Sequence, residues 1–171
     1  MRQLPKEKIS ECCDRIVKNG CRPQYLALLM CITNVGDKNI TENQYEIVKN
    51  LTAPNRIGVV MRFLCPYGSN EYIRKVAIMS QFAGATTDLD IDELDSELAY
   101  HIVLMKVLAA CTVGRLNITT IEAKVQSIFP VQDILHALLD PETILVARMN
   151  MSLYFFNAII EVEMRVSGLE R

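Results

Sequence analysis

Apolar residues recur along this chain at helical spacing, segment after segment, with short polar breaks between. Ile9, Cys12, Cys13, Ile16 and Val17 stand at i, i+3, i+4, i+7 and i+8, one stripe of a 3.6-residue period. Pro5 suits the first turn of that helix and Asn19-Gly20 its end. After Pro23, the run from Tyr25 to Ile32 is apolar on every face, which predicts a second helix sandwiched between neighbours. A third opens at Thr41, where Thr41-x-x-Gln44 has the form of a capping box, carries Tyr45, Val48 and Leu51, and ends near Pro54. A shorter fourth covers Ile57 to Leu64. The fifth begins at Ser69 with Tyr72, Ile73, Val76, Ala77 and Ser80 on one side.

The second half repeats the pattern. A sixth helix over Ser96 to Thr112 has the widest stripe, Leu98, Ile102, Met105, Leu108, Ala109 and Thr112, with Gly114 placed to end it. A short seventh starts with the box Thr119-x-x-Glu122, and Pro130 opens an eighth through Ile134, Leu135 and Leu138. Asp140-Pro141-Glu142 reads as N-cap, first-turn proline and dipole-facing acid of a ninth, whose stripe is Ile144, Ala147, Met151, Tyr154, Phe155, Ala158 and Val162. No segment shows period-2 alternation bounded by turn dipeptides. The pattern predicts one all-α domain over residues 1–171, an armadillo- or HEAT-like α-solenoid of about nine helices.

Composition agrees with helices packed on helices. Half the residues are hydrophobic, Trp is absent, and Gly and Pro are few. Net charge is −2 with acids and bases interspersed, so no basic stripe exists to neutralise phosphates and nucleic acid is not an expected partner. The opening Met1-Arg2-Gln3-Leu4-Pro5-Lys6 is not a secretory leader. The longest uncharged stretch, Pro23 to Gly36, falls short of the ~18 residues of a membrane span. Cys12, Cys13, Cys21, Cys31, Cys65 and Cys111 include no C-x-x-C pair and read as reduced, mostly buried thiols. The sequons at Asn39, Asn50, Asn117 and Asn150 read as chance, with Asn150 mid-helix.

Candidate chemistry is sparse. Residues 84–95 form an acidic loop holding Asp88, Asp90, Asp92, Glu93 and Asp95. An EF-hand loop starting at Asp88 requires Gly and Glu where Glu93 and Ala99 stand, so no calcium site is expected. His101 and His136 sit among apolar neighbours and read as core or interface histidines. His101 and Cys111 lie about 15 Å apart along one helix axis, too far to act as a nucleophile and base. Single glycines build neither a P-loop nor a dinucleotide fingerprint. The residues therefore offer no catalytic, metal or cofactor site, and an enzyme is not expected.

Tyr100-His101-Ile102-Val103-Leu104-Met105-Lys106-Val107-Leu108-Ala109-Ala110-Cys111-Thr112-Val113-Gly114 resembles a signature stretch of the inositol trisphosphate receptors. Ile128-Phe129-Pro130-Val131-Gln132-Asp133-Ile134 and Glu161-Val162-Glu163-Met164 extend the likeness, which is specific over residues 98–164. Val113 stands where that family usually has an acid, and Leu116 separates Arg115 from Asn117 where a basic residue and Asn are adjacent. The resemblance implies an armadillo-type regulatory domain on the cytoplasmic side of the endoplasmic reticulum membrane. Its partners would be neighbouring domains and subunits of a homotetrameric calcium-release channel. This piece would couple ligand binding to the pore without binding inositol trisphosphate, since no convergent Arg/Lys set is present. His101, Leu108, Cys111, Tyr154 and Phe155 are the core and coupling candidates. The alternative is a free-standing armadillo or HEAT adaptor that takes a peptide or partner helix in a groove.

Overall fold

The computed structural model of the chain describes residues 6–36, 38–59, 65, 67–82, 96–114 and 119–166. These residues are almost entirely helical: α1 (Lys6–Asn19), α2 (Pro23–Met30), α3 (Thr41–Leu51), α4 (Asn70–Ser80), α5 (Ser96–Ala110), α6 (Thr119–Ile128), α7 (Val131–Leu139), α8 (Leu145–Phe155) and α9 (Glu161–Val166). A 3-10 helix spans Pro54–Val59, and a π-helical turn, Phe156–Ile160, carries α8 into α9. An antiparallel ribbon of two residues a side, β1 (Asn34–Val35) and β2 (Lys38–Asn39), lies between α2 and α3.

α5 runs through the middle. From Leu98 to Thr112 only Lys106 and Ala110 keep partial exposure, so the helix has no wet face. The expected stripe is buried, and Tyr100, Val103, Leu104 and Val107 on the other faces are buried as well. α2 and α8 both pack on it, and the π turn adds a further contact. The sandwiched helix is thus α5 and not α2. α2 packs on α5 and on α1 and buries Leu26 and Leu29, but it leaves Leu28 59% exposed, so it is not covered all round. An apolar run shows that a helix can be enclosed; a longer, better-placed helix took the central position.

Four further expectations are corrected. Thr41 is not the N-cap of α3: that position falls to Ile40, whose side chain supplies no cap, and Gln44 turns inward to α5. The buried face of α3 is Asn43, Gln44, Ile47, Val48 and Leu51, with Tyr45 outside. α4 begins as expected, Ser69 accepting from the Tyr72 amide, but it buries Lys75 and Met79 and exposes Ile73. Asp140 does not cap the last long helix. It ends α7, its carboxylate accepts from the Glu142 amide at 3.0 Å, and α8 starts only at Leu145 after that turn. Of the helix expected over Ile57–Leu64, positions 57–59 fall in the Pro54–Val59 3-10 helix, and residues 60–64 lie outside the described residues. So do the acidic loop 84–95 and the sequon at Asn117; the side chain of Thr119 is likewise not described.

None of the six cysteines is in a disulfide, and Cys31, one residue past the end of α2, is exposed. Asn150 is buried and donates to the Val146 carbonyl at 2.7 Å, which leaves its amide no room for a glycan. Leu108 is wholly buried at the centre. Leu108→Ala should cost about 2–5 kcal/mol through lost transfer energy and the remaining cavity. Urea unfolding of both proteins measures this, and an unchanged midpoint would show the helix to be misplaced.

Candidate functional site

The residues singled out from sequence converge on α5, which joins the two halves of the fold through adjacent positions. Consecutive helical residues project about 100° apart, so Tyr100 and His101 leave the axis in different directions. Tyr100 is hydrogen-bonded to the Cys21 thiol in the α1–α2 connection, and burial raises its hydroxyl pKa. His101 goes the other way. Its imidazole meets the Phe129 ring edge-on at 5.7 Å, and Phe129 meets Tyr154 edge-on at 5.5 Å. These are the separations and T-shaped geometry that aromatic quadrupoles favour. Tyr154 closes the row by donating its hydroxyl to the Val125 carbonyl of α6 at 2.5 Å. One row of three rings thus ties α5, the end of α6 and α8 together, all fully buried.

The C-terminal end of α5 is held from the first half. Gln44 of α3 donates its amide to the carbonyls of Ala110, at 3.0 Å, and Val113, at 3.4 Å. It thereby supplies donors to acceptors that a helix end leaves open. Thr112 Oγ1 donates back to Ala109 at 2.7 Å, and Cys111 is buried beside it. Gly114 turns the chain at φ +72°, and a Cβ there would meet the Asn39 amide of the β ribbon at 2.1 Å. Of the five sequence candidates, His101 and Tyr154 share the ring row, Leu108 lies further along α5 and Cys111 just past its end, and Phe155 is half-buried against the core without joining the row.

Two polar joints escaped the sequence reading. Lys75 of α4 and Asp140 at the end of α7 form a buried ion pair at 3.1 Å, and Tyr72 donates to the same carboxylate at 3.1 Å. Lys75 also lies 4.7 Å from the Tyr72 ring centre. Burial works against the Asp140 charge, but the Glu142 amide, Lys75 and Tyr72 outweigh it and hold the acid below its ordinary range. Burial and the neighbouring carboxylate push Tyr72 up to about 12. A pocket of about 340 Å³ opens beside this joint, with Cys65, Tyr67, His136 and Pro141 on its wall. The second joint is Arg56, buried after α3, whose guanidinium binds Asp14 at 2.6 Å, Ser10 at 2.9 Å and the Asn50 side-chain carbonyl. Lys75 and Arg56 lie outside the stripes read from the sequence, and partners 65 and 42 positions away in the chain carry no local signal.

Among the described residues, no three His, Cys, Asp or Glu side chains come together as a metal cage, and no helix is long and apolar enough to cross a membrane. Burial raises the thiol pKa of Cys13 to about 12 and also raises that of Cys12, which disfavours the nucleophilic thiolate. The arrangement holds helices in fixed relation. The chain matches no family model and no curated protein.

Because the folded pKa of Asp140 lies below its ordinary value of 3.8, its contribution is complete above that value and is lost as pH falls through the lower folded one. Asp140→Asn leaves the Lys75 ammonium buried without its counter-ion and should destabilise the fold at neutral pH by about 3–5 kcal/mol. The gap to wild type should narrow in acid. Chemical denaturation from neutral pH down to pH 3 reads both, and a gap that does not change with pH would contradict the role of the ion pair.

Proposed function

We propose that this chain is a non-catalytic coupling domain of an inositol trisphosphate-gated calcium-release channel, a helical stack of the armadillo or HEAT kind. It would relay ligand binding to the pore. The observation that carries the reading is where the resembling stretch lies: Tyr100 to Gly114 takes in most of the enclosed helix α5, on which both halves of the fold close, and the turn that follows it. A helix gripped at one end by Tyr100–Cys21 and His101–Phe129–Tyr154, and at the other by Gln44, cannot shift without moving its neighbours. That is the physical requirement for carrying a displacement between sites. The domain would work on the cytoplasmic side of the endoplasmic reticulum membrane, against neighbouring domains and subunits of a homotetramer. Inositol trisphosphate would bind elsewhere in the channel.

The adaptor reading draws on a groove of about 370 Å³ between α1 and α2, with Ile9, Leu28 and Leu29 inside and Lys8, Glu11 and Arg15 on the rim. A blot of fractionated cells with an antibody to this chain separates the two. The channel reading expects a membrane-retained band far above 19.3 kDa; a soluble band near that mass supports the adaptor. In the channel, Tyr154→Phe frees the Val125 carbonyl but keeps the ring row. Ligand affinity should stay within a few fold while ligand-evoked calcium release falls. Equal loss of both on the same membranes, or unchanged release, would contradict coupling through this row.

A further inference from the structure

The long C-terminal helical rod carries a second apolar row, on the side away from Tyr154. Leu145, Met149, Leu153, Phe156, Ile160 and Met164 are each 37–53% exposed. They recur at steps of four, four, three, four and four residues. Steps of this average length drift round an ideal helix, whose turn is 3.6 residues. The π turn at Phe156–Ile160 is wider and takes up that drift, so the row stays on one face of the rod. The side chains together expose on the order of several hundred Å², the size of the largest apolar patch on a typical monomer, which is often functional.

We propose that this row is a self-association surface, on which a second copy of the same chain docks with its helix antiparallel. The spacing reads the same from either end. A twofold axis between Leu153 and Phe156 sets Leu145 against Met164, Met149 against Ile160 and Leu153 against Phe156 of the second copy. A surface that meets itself about a twofold axis must have this symmetry. The flanking charges obey it too, since the same operation brings Glu161 towards Arg148, opposite in sign, whose guanidinium also donates to the Asp140 and Pro141 carbonyls. A parallel pairing would set Arg148 against Arg148 and Glu161 against Glu161. The inference concerns the chain by itself and does not depend on the channel reading.

Sedimentation across a micromolar concentration series tests it. The wild-type chain should be a reversible dimer, and Leu153→Glu should be monomeric with unchanged helical circular dichroism. Register is read in a Cys31→Ser background. Mixed Leu145→Cys and Met164→Cys chains should join by a disulfide under mild oxidation, while neither variant alone should. A wild-type chain that stays monomeric overturns the proposal, as does a dimer indifferent to Leu153→Glu. Self-linking of Leu145→Cys at the rate of the mixture overturns the antiparallel arrangement.

Discussion

Everything in this fold depends on enclosing α5. A helix with apolar or neutral side chains all round cannot rest on a surface; it needs neighbours on every side to remove that area from water. α2 covers one side and α8 with the π turn another. The two come from opposite ends of the chain, so the enclosure draws both halves into one body. The remaining helices then brace the cover. α1 supports α2 and is pinned to the end of α3 by Arg56, while α7 supports α8.

Among the described residues, three polar interactions across this enclosure each have one partner near a helix end. Gln44 satisfies the last carbonyls of α5, Asp140 closes α7 and binds Lys75, and Tyr154 reaches a carbonyl of α6. Each bond crosses between elements that the apolar contacts have already brought together. Hydrophobic burial is non-directional and sets which surfaces meet, whereas a buried donor without its acceptor carries a penalty and so restricts the register of meeting. The ring row His101–Phe129–Tyr154 works likewise, since edge-on geometry is lost with a small rotation of either helix.

Helical periodicity revealed nearly all of the elements. The stripes of α1 and α8 fell on the right faces, except that Val17 of α1 is 54% exposed, and Gly114 turns the chain after α5 as its position implied. What the pattern could not show was which apolar helix would be central, because α2 and α5 both look enclosed and only tertiary packing decides between them. The errors on α3 and α4 share a cause. Gln44 and Lys75 are polar residues buried by distant partners, and polarity alone placed them outside. Asp140-Pro141 misled because the same residues that begin a helix also make a turn after one. Of the candidate site, His101 and Tyr154 were legible as buried residues, but Phe129, which connects them, stood outside the helical stripes and carried no periodic signal.

Hydrogen exchange under native conditions measures the enclosure most directly. Amides that open only when the whole fold opens exchange with the free energy of global unfolding, and those that fray exchange sooner. If α5 is the element on which both halves close, its amides from Ile102 to Ala109 should exchange only by global unfolding, and the α2 amides should exchange earlier. Protection in α5 no greater than in α2 or α4 would contradict the central place given to this helix.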